Sequence, residues 1–344
     1  MHGHLPRLES AARSVGQRQG ALEVVGMSKG SPILLTGGFG YLGGRIARHL
    51  LAQGKKVRIT TRRGPESWPD WAKDAEVVRL KPSDDTALLA ACQGVSALVH
   101  LSAMNEVDCT TDPVGALEAN GVDTVRLLQA ALKAGVGRFV YFSTARVYGE
   151  PLIGRIEESM ICRPVHPYGI SHKVAEDYIL AEHAKGRIQA ACLRLSNALG
   201  APADPLINRW TLVANDLCRQ AASTGKMVLK SSGVALRDFI PMAEVARAVQ
   251  VLLEVDGPKL GDGIFNLGVG HSSSIRDLAD LILARAEAVL GTRPVLERPD
   301  PKPGEVADPL DFRVDRLAAA GFAASRDLAP EIDQTLILCR KAFG

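Results

Sequence analysis

The chain has 344 residues, 46% of them hydrophobic, enough for one large core or two smaller ones. Its formal charge of +3 is the balance of 41 basic and 38 acidic residues without a block of either sign. That excludes the electrostatic footprint of a nucleic-acid or membrane-surface binder. The six cysteines form no C-x-x-C pair and no run with histidine at zinc-ligand spacing, so reduced thiols in a cytoplasmic protein, with no metal site, are expected.

Residues 1–29 mix Arg, Ser, Gly and Gln, lack the apolar run of a signal peptide, and are read as a disordered extension outside the fold. The apolar run Ile33 to Leu35 is short enough for a buried parallel strand. It stops at a turn carrying Gly37, Gly38, Gly40, Gly43 and Gly44, and a helix follows from Arg45 to Ala52. Strand, glycine turn and helix together bring bare backbone N–H groups and the positive end of a helix to a pyrophosphate.

The second strand, Lys56 to Arg63, ends where a dinucleotide fold meets the adenosine ribose. Thr61 followed by Arg62 and Arg63 offers no acid for a 2′-hydroxyl, which leans towards NADP over NAD. Strands are predicted at Glu76–Leu80, Ala97–Ser102, Arg138–Thr144 and Gln189–Leu195. Helices are predicted between them at Asp84–Cys92, Gly115–Ala134 and Pro167–Glu182. This alternation with short connections calls for an α/β fold, a right-handed doubly wound parallel sheet of Rossmann type. Its ligand crevice lies at the carboxyl ends of the strands, where the glycine turn, His100 to Ala103 and Ser143-Thr144 converge. His100 is therefore a candidate ligand contact, and Trp68 and Trp71 are candidates to cover the adenosine edge or a neighbouring helix.

Beyond Asn197 the pattern loosens into a Gly/Pro loop to Asp204, a helix from Arg209 to Ser223, an extended stretch from Met227 to Asp238 and a helix from Ala243 to Glu254. A short strand at Ile264–Leu267, a helix at Ser274–Leu290 and a proline-rich tail complete the chain. The expected organisation is a dinucleotide-binding domain over 30–196, with returns to its sheet near 240–268. A smaller α+β substrate lobe is built mainly from 197–344.

Five ordered motifs carry a resemblance: Thr36-Gly-Gly-Phe-Gly-Tyr-Leu-Gly43, Ser143-Thr144 with Val147-Tyr-Gly149, Pro167-Tyr168-Gly169, Arg194-Leu-Ser-Asn197 and Arg237-Asp-Phe239. From about residue 31 to 325 the chain resembles the extended short-chain dehydrogenase/reductase family, in its nucleotide-sugar epimerase and dehydratase branch. The resemblance implies a pyrophosphate site at Gly37, Gly40 and Gly43 with Phe39 and the backbone of Tyr41 and Leu42. It places Arg62, Leu101 and Asn120 beside the cofactor. It makes Tyr168 the catalytic acid/base, Thr144 the hydroxyl sharing its hydrogen bond, and Asn197 and Arg237 the groups holding a substrate diphosphate. Thr144 counts also among the substrate contacts. The implied partner is a nucleotide-sugar, and the implied assembly is a homodimer through the helices Gly115–Ala134 and Tyr168–Glu182.

Four departures from the family pattern bear on mechanism and on ligand. The lysine that relatives place four residues after the tyrosine is here His172, with Lys173 one position later and about 100° around the helix. A histidine of ordinary pKa near 6.5 is about one quarter cationic at pH 7, so it is a weaker aid to a phenolate. His172 nevertheless remains a candidate for catalysis and for the nicotinamide ribose. Either its surroundings ionise it in a working enzyme, or the chain binds the cofactor with weak turnover. The acid pair that dehydratases carry after the catalytic threonine is replaced by Ala145 and Arg146, which disfavours dehydration. Lys81 stands where many relatives place an aspartate against the adenine, and Lys302-Pro-Gly-Glu305 matches the C-terminal arginine motif only loosely. The leading expectation is an NAD(P)-dependent sugar-nucleotide epimerase or reductase. The alternatives are an NADPH-dependent reductase of a small carbonyl or sterol-like substrate, and a redox-sensing regulator on the same scaffold.

Overall fold

A computed structural model describes residues 30–344, and the predicted N-terminal extension lies outside the described residues. Seven strands form one parallel sheet: β1 (Ile33–Thr36), β2 (Val57–Thr61), β3 (Glu76–Arg79), β4 (Ala97–His100), β5 (Arg138–Thr144), β7 (Gln189–Leu195) and β11 (Ile264–Leu267). Their order is β11-β7-β5-β4-β1-β2-β3, so chain direction across the sheet reverses between β1 and β4. A crevice opens at such a switch point, outside the carboxyl ends of the strands. Thr36 of β1 and His100 of β4 pair across it.

The sheet is apolar on both faces, and successive side chains feed two cores. Ile33 and Leu35 enter one with Ile46 and Leu50 of α1 (Tyr41–Ala52) and Val245 and Val249 of α8 (Met242–Glu254). Leu34 enters the other with Leu88 of α2 (Asp85–Cys92), Leu127 of α5 (Asp123–Lys133) and Ile179 of α6 (Pro167–Ala184). This two-sided burial is why the strands read as continuous hydrophobic runs rather than alternating ones.

Between β4 and α5 come α3 (Glu106–Thr111) and α4 (Pro113–Ala116), then a π-helical turn at Leu117–Val122. The sequence reading of one helix from Gly115 to Ala134 missed this turn, which holds Asn120. Its α3 neighbour begins at the cap Asn105, whose side chain accepts from Val107 N at 3.0 Å and Asp108 N at 3.1 Å.

The remaining chain builds small sheets around the mouth of the crevice. In one, β10 (Leu236–Pro241) lies between β8 (Asn197–Leu199) and β12 (Ser272–Ser274). Two pairs complete the set: β6 (Gly154–Ile156) with β14 (Leu310–Phe312), and β9 (Lys226–Val228) with β13 (Val295–Glu297). Three helices, α7 (Val213–Thr224), α9 (Ile275–Leu290) and, after a short α10 (Asp315–Ala319), α11 (Ala329–Phe343), share a core through Leu217, Ile282 and Leu336. The tail is thus more than a proline-rich loop. Pro330 sits in the first turn of α11, where proline fits, and Ile332, Leu336 and Cys339 form its buried stripe. The expected helix start at Arg209 moves to Val213, leaving 200–212 as an irregular cover over the crevice.

Candidate active site

One cleft runs along the carboxyl edge of the sheet, with Gly37, Gly40, Tyr41, Leu42, Gly43 and Leu101 at one end and Thr144, Tyr168, His172 and Asn197 at the other. The glycines are required by the turn itself. Gly37 has φ +68°, and a Cβ there would stand 2.9 Å from Ser102 N, while one on Gly43 would overlap the Gly37 carbonyl oxygen. Gly40 caps α1 without a side-chain hydrogen bond, and the described first turn carries no acidic residue, so the helix N-terminus is left to an anion. Two buried polar atoms of cleft-lining residues, Ser143 Oγ and His172 Nε2, also lack a hydrogen-bond partner. A dinucleotide fits this wall: narrow bare backbone for the pyrophosphate, and unspent polar atoms for the ribose end.

Four expected cofactor or ligand contacts lie elsewhere. Phe39 turns inward, buried against Trp68 and Trp71 with centroids 6.3 and 5.6 Å away, so the tryptophans cover the start of α1 and not an open adenosine edge. Arg62 is exposed and does not line the cleft; its charge is felt by Asp123 at the start of α5. Asn120 is buried as a brace: its side chain accepts from Met104 N at 2.6 Å and donates to Ser171 Oγ at 3.0 Å, joining the loop after β4 to α6. His100 is buried in the same way, with Nδ1 2.5 Å from Thr36 Oγ1 and Nε2 2.8 Å from Thr124 Oγ1. Burial lowers its pKa to about 3, so it is neutral.

At the other end, Thr144 closes β5 and Tyr168 lies in the first turn of α6. Gly169 lets the helix approach the turn after β5, since a Cβ there would come 2.8 Å from the Arg146 carbonyl oxygen. The His172 ring meets Tyr168 edge-on at 4.5 Å between centroids, and its Nδ1 lies 2.8 Å from Tyr141 Oη. Burial holds the Tyr141 phenol protonated, and its hydroxyl shares one hydrogen bond with Nδ1, leaving Nε2 as the ring nitrogen without a partner. Ionisation of His172 by its surroundings, one of the two expectations, is corrected: burial lowers its pKa to about 4, against a smaller opposing pull from the Phe142 carbonyl. His172 therefore offers an unmatched ring nitrogen, Nε2, but gives Tyr168 no charge. The Tyr168 phenol is pushed up to about 12, chiefly by burial.

A second cavity of about 390 Å³ adjoins the first, sharing Thr144, Arg146, Leu195, Ser196 and Asn197 and adding Arg237 and Phe312. Asn197 is tethered to the Asp238 carbonyl oxygen at 3.1 Å. Arg237 makes one hydrogen bond, to its neighbour's carbonyl at Leu236, and no ion pair among the described residues. Asp238, the middle residue of the Arg237-Asp-Phe239 motif, has a role that the sequence reading missed. Buried, it accepts from Ser196 Oγ at 2.8 Å, Val269 N at 3.1 Å and His271 N at 3.2 Å, clamping the turn after β11. Arg194 of the same motif series is also structural: it forms a buried ion pair with Glu176 at 2.6 Å and lies over the Tyr148 ring at 4.7 Å.

A glycine-cradled crevice at a sheet's switch point, with a tyrosine and a threonine closing its far end, defines a dinucleotide-binding fold of Rossmann type. This chain belongs to the NAD-dependent epimerase/dehydratase family, whose sequence model matches residues 33–268. It is 30% identical to a UDP-glucose 4-epimerase of Rhizobium meliloti (strain 1021) over 270 residues, 73% of this chain and 80% of that one. It is 29% identical to the UDP-glucose 4-epimerase of Rhizobium leguminosarum bv. trifolii over 273 residues, 74% and 81% of the two chains. The Thermus thermophilus UDP-glucose 4-epimerase, solved with NAD, superposes with a TM-score of 0.72 at 24% identity, covering 90% of this chain and 99% of that one. The NADP lean drawn from Thr61-Arg62-Arg63 finds no support in these relatives. No helix among the described residues is long and apolar enough to cross a membrane.

Proposed function

We propose that this chain is an NAD-dependent enzyme of nucleotide-sugars that oxidises a ring hydroxyl and returns the hydride, as an epimerase or as a dehydrogenase/reductase. The observation that carries this is the junction of two cavities at Thr144, Ser196 and Asn197, with Tyr168 in the wall of the first: a dinucleotide cradle on one side, an unpaired Arg237 on the other. A planar guanidinium free of carboxylates suits a diphosphate, which a small carbonyl or sterol-like substrate lacks. That favours the nucleotide-sugar over the reductase alternative. Bound dinucleotide supplies the hydride acceptor. Tyr168 takes the hydroxyl proton, Thr144 aligns the same oxygen, and His172 Nε2 hydrogen-bonds a ribose hydroxyl. Arg146, paired with Glu106 at 2.8 Å and Glu150 at 2.5 Å, brings no acid for elimination. NAD is the dinucleotide we infer, in line with the family's NAD dependence.

Purified protein with NAD and a panel of nucleotide-sugars is expected to interconvert one of them. Tyr168→Phe should cut turnover by at least about 10³-fold with dinucleotide affinity within about threefold of the parent. Turnover surviving in that variant would remove the tyrosine from the chemistry.

The assembly we propose is a homodimer through 113–133 and α6. Val114, Leu117, Val122, Ile170 and Tyr178 are exposed along these helices and flank a groove of about 660 Å³. Leu117→Lys with Tyr178→Glu should convert a dimer to a monomer in analytical ultracentrifugation; a parent that sediments as a monomer excludes the interface.

A further inference from the structure

A tyrosine that must accept a proton near neutral pH needs positive charge beside it, and α6 offers none. His172 is buried and neutral. Lys173 faces away: its Nζ bonds the Asp177 carboxylate, lies 3.9 Å from Glu176, and is no part of the cleft wall. Two cations do line the cleft, Arg146 and Arg209. Arg146 is committed to Glu106 and Glu150. The Arg209 guanidinium has neither a carboxylate partner nor a hydrogen bond among the described residues.

Its backbone, by contrast, is pinned. Asn215 Nδ2 lies 3.2 Å from both the Arg209 carbonyl oxygen and Tyr41 Oη, and the Tyr41 hydroxyl donates to the Gly200 carbonyl oxygen at 2.9 Å. Burial holds the Tyr41 phenol protonated, so it keeps both roles at once. Both ends of the cover segment 200–212 are thereby fastened to the residue that opens α1, and the side chain of Arg209 is left free inside the crevice.

We propose that Arg209, carried by this cover, takes the electrostatic place of the lysine missing from α6 and holds Tyr168 ready to receive the substrate proton. This rests on the reading of Tyr168 as acid/base. In the step it serves, the sugar O–H proton passes to the Tyr168 oxygen. The carbon beneath yields hydride to the oxidised nicotinamide dinucleotide, and the C–O single bond becomes a carbonyl. The charged and titratable groups facing Tyr168 are Glu106 and Cys109 from α3, Tyr141 from β5, Arg146 from the turn after β5, His172 from its own helix and Arg209 from the cover. Against the upward push of burial, the charge of Arg209 is the foremost downward influence on that phenol, ahead of Arg146. The enzyme thus acquires its base only when the cover is seated, a coupling that a lysine on α6 would not create.

The test compares the parent with Arg209→Gln and Arg209→Lys in the full chain. In the pH profile of kcat, Arg209→Gln should move the rising limb upward by about one unit, a tenfold loss at a fixed pH on that limb, with KM for dinucleotide and sugar nucleotide within about threefold. Arg209→Lys should recover at least half of the shift. A limb that stays in place overturns the proposal, and if KM for either ligand rises instead, Arg209 is a phosphate contact. A second readout needs no turnover. With five tyrosines in the chain, the Cζ signal of Tyr168, identified by its loss in Tyr168→Phe, can be followed by NMR from about pH 7 to 11. It should begin to titrate at lower pH in the parent than in Arg209→Gln; identical curves overturn the proposal. If Tyr168→Phe keeps its turnover, the acid/base reading fails whatever Arg209 does, which separates the two failures.

Discussion

The surroundings of His100 and of His172 answer the same physical problem in opposite ways. The two rings flank Tyr141, one stacked on it at 5.7 Å between centroids and the other at 5.9 Å, and burial keeps both uncharged. Around His100 every polar atom is matched. Thr124 Oγ1 donates to the Asn120 carbonyl oxygen at 2.7 Å, so it accepts from His100 Nε2, and Thr36 Oγ1 donates to Nδ1. Around His172 one nitrogen is matched by Tyr141 and the other by nothing. Burial and neutrality are common to both rings; the unmatched nitrogen is what distinguishes His172.

The strongest way to test this pairing is acid. A histidine whose folded pKa lies below its unfolded value near 6.5 contributes fully above about pH 6.5, and that contribution is lost as pH falls towards the folded value. With folded values of about 3 and about 4, descent to pH 5 should cost about 2 kcal/mol for each ring, about 4 in all. Urea unfolding near pH 7.5 and pH 5 measures it, and a flat response would mean that at least one ring is not buried neutral. Next in size, His100→Phe should destabilise the fold by about 3 kcal/mol through the stranded Thr36 hydroxyl and the lost Thr124 bond. Calorimetry should find its NAD affinity per folded molecule unchanged. A weakened affinity would turn His100 from brace into ligand. The smallest effect should come from His172→Phe: about 1 kcal/mol of stability, but about tenfold in NAD affinity, the worth of one hydrogen bond made only when the ribose arrives. Unaltered affinity there would erase the contrast.

The sheet and its glycine turn were legible because backbone constraint writes itself locally: no other residue tolerates the φ of Gly37 or the crowding at Gly43. Tyr168, Thr144 and Asn197 were legible by their ordered motifs, and they do share one crevice. What a side chain faces is set by partners far along the chain, and there the sequence was silent. Asn120 looks like a cofactor contact until the π-helical turn directs it to Met104 and Ser171. Phe39 sits within the glycine run yet packs backward on two tryptophans. Arg209 lies in a stretch without periodicity, where nothing short of the Asn215–Tyr41 tether reveals which way it points. The C-terminal helix was missed because prolines before it outweighed a stripe of only three buried apolar positions.

One clasp has a consequence for how the protein is made. Glu331, near the start of α11, meets Arg45 of α1 at 2.5 Å and accepts from Ala243 N at 2.8 Å, joining residues 286 apart in sequence directly behind the glycine turn. While a ribosome is still adding the closing stretch, the opening βα unit has its loop but not the strut that steadies it. Trimming α11 should therefore loosen a pocket that the helix never touches.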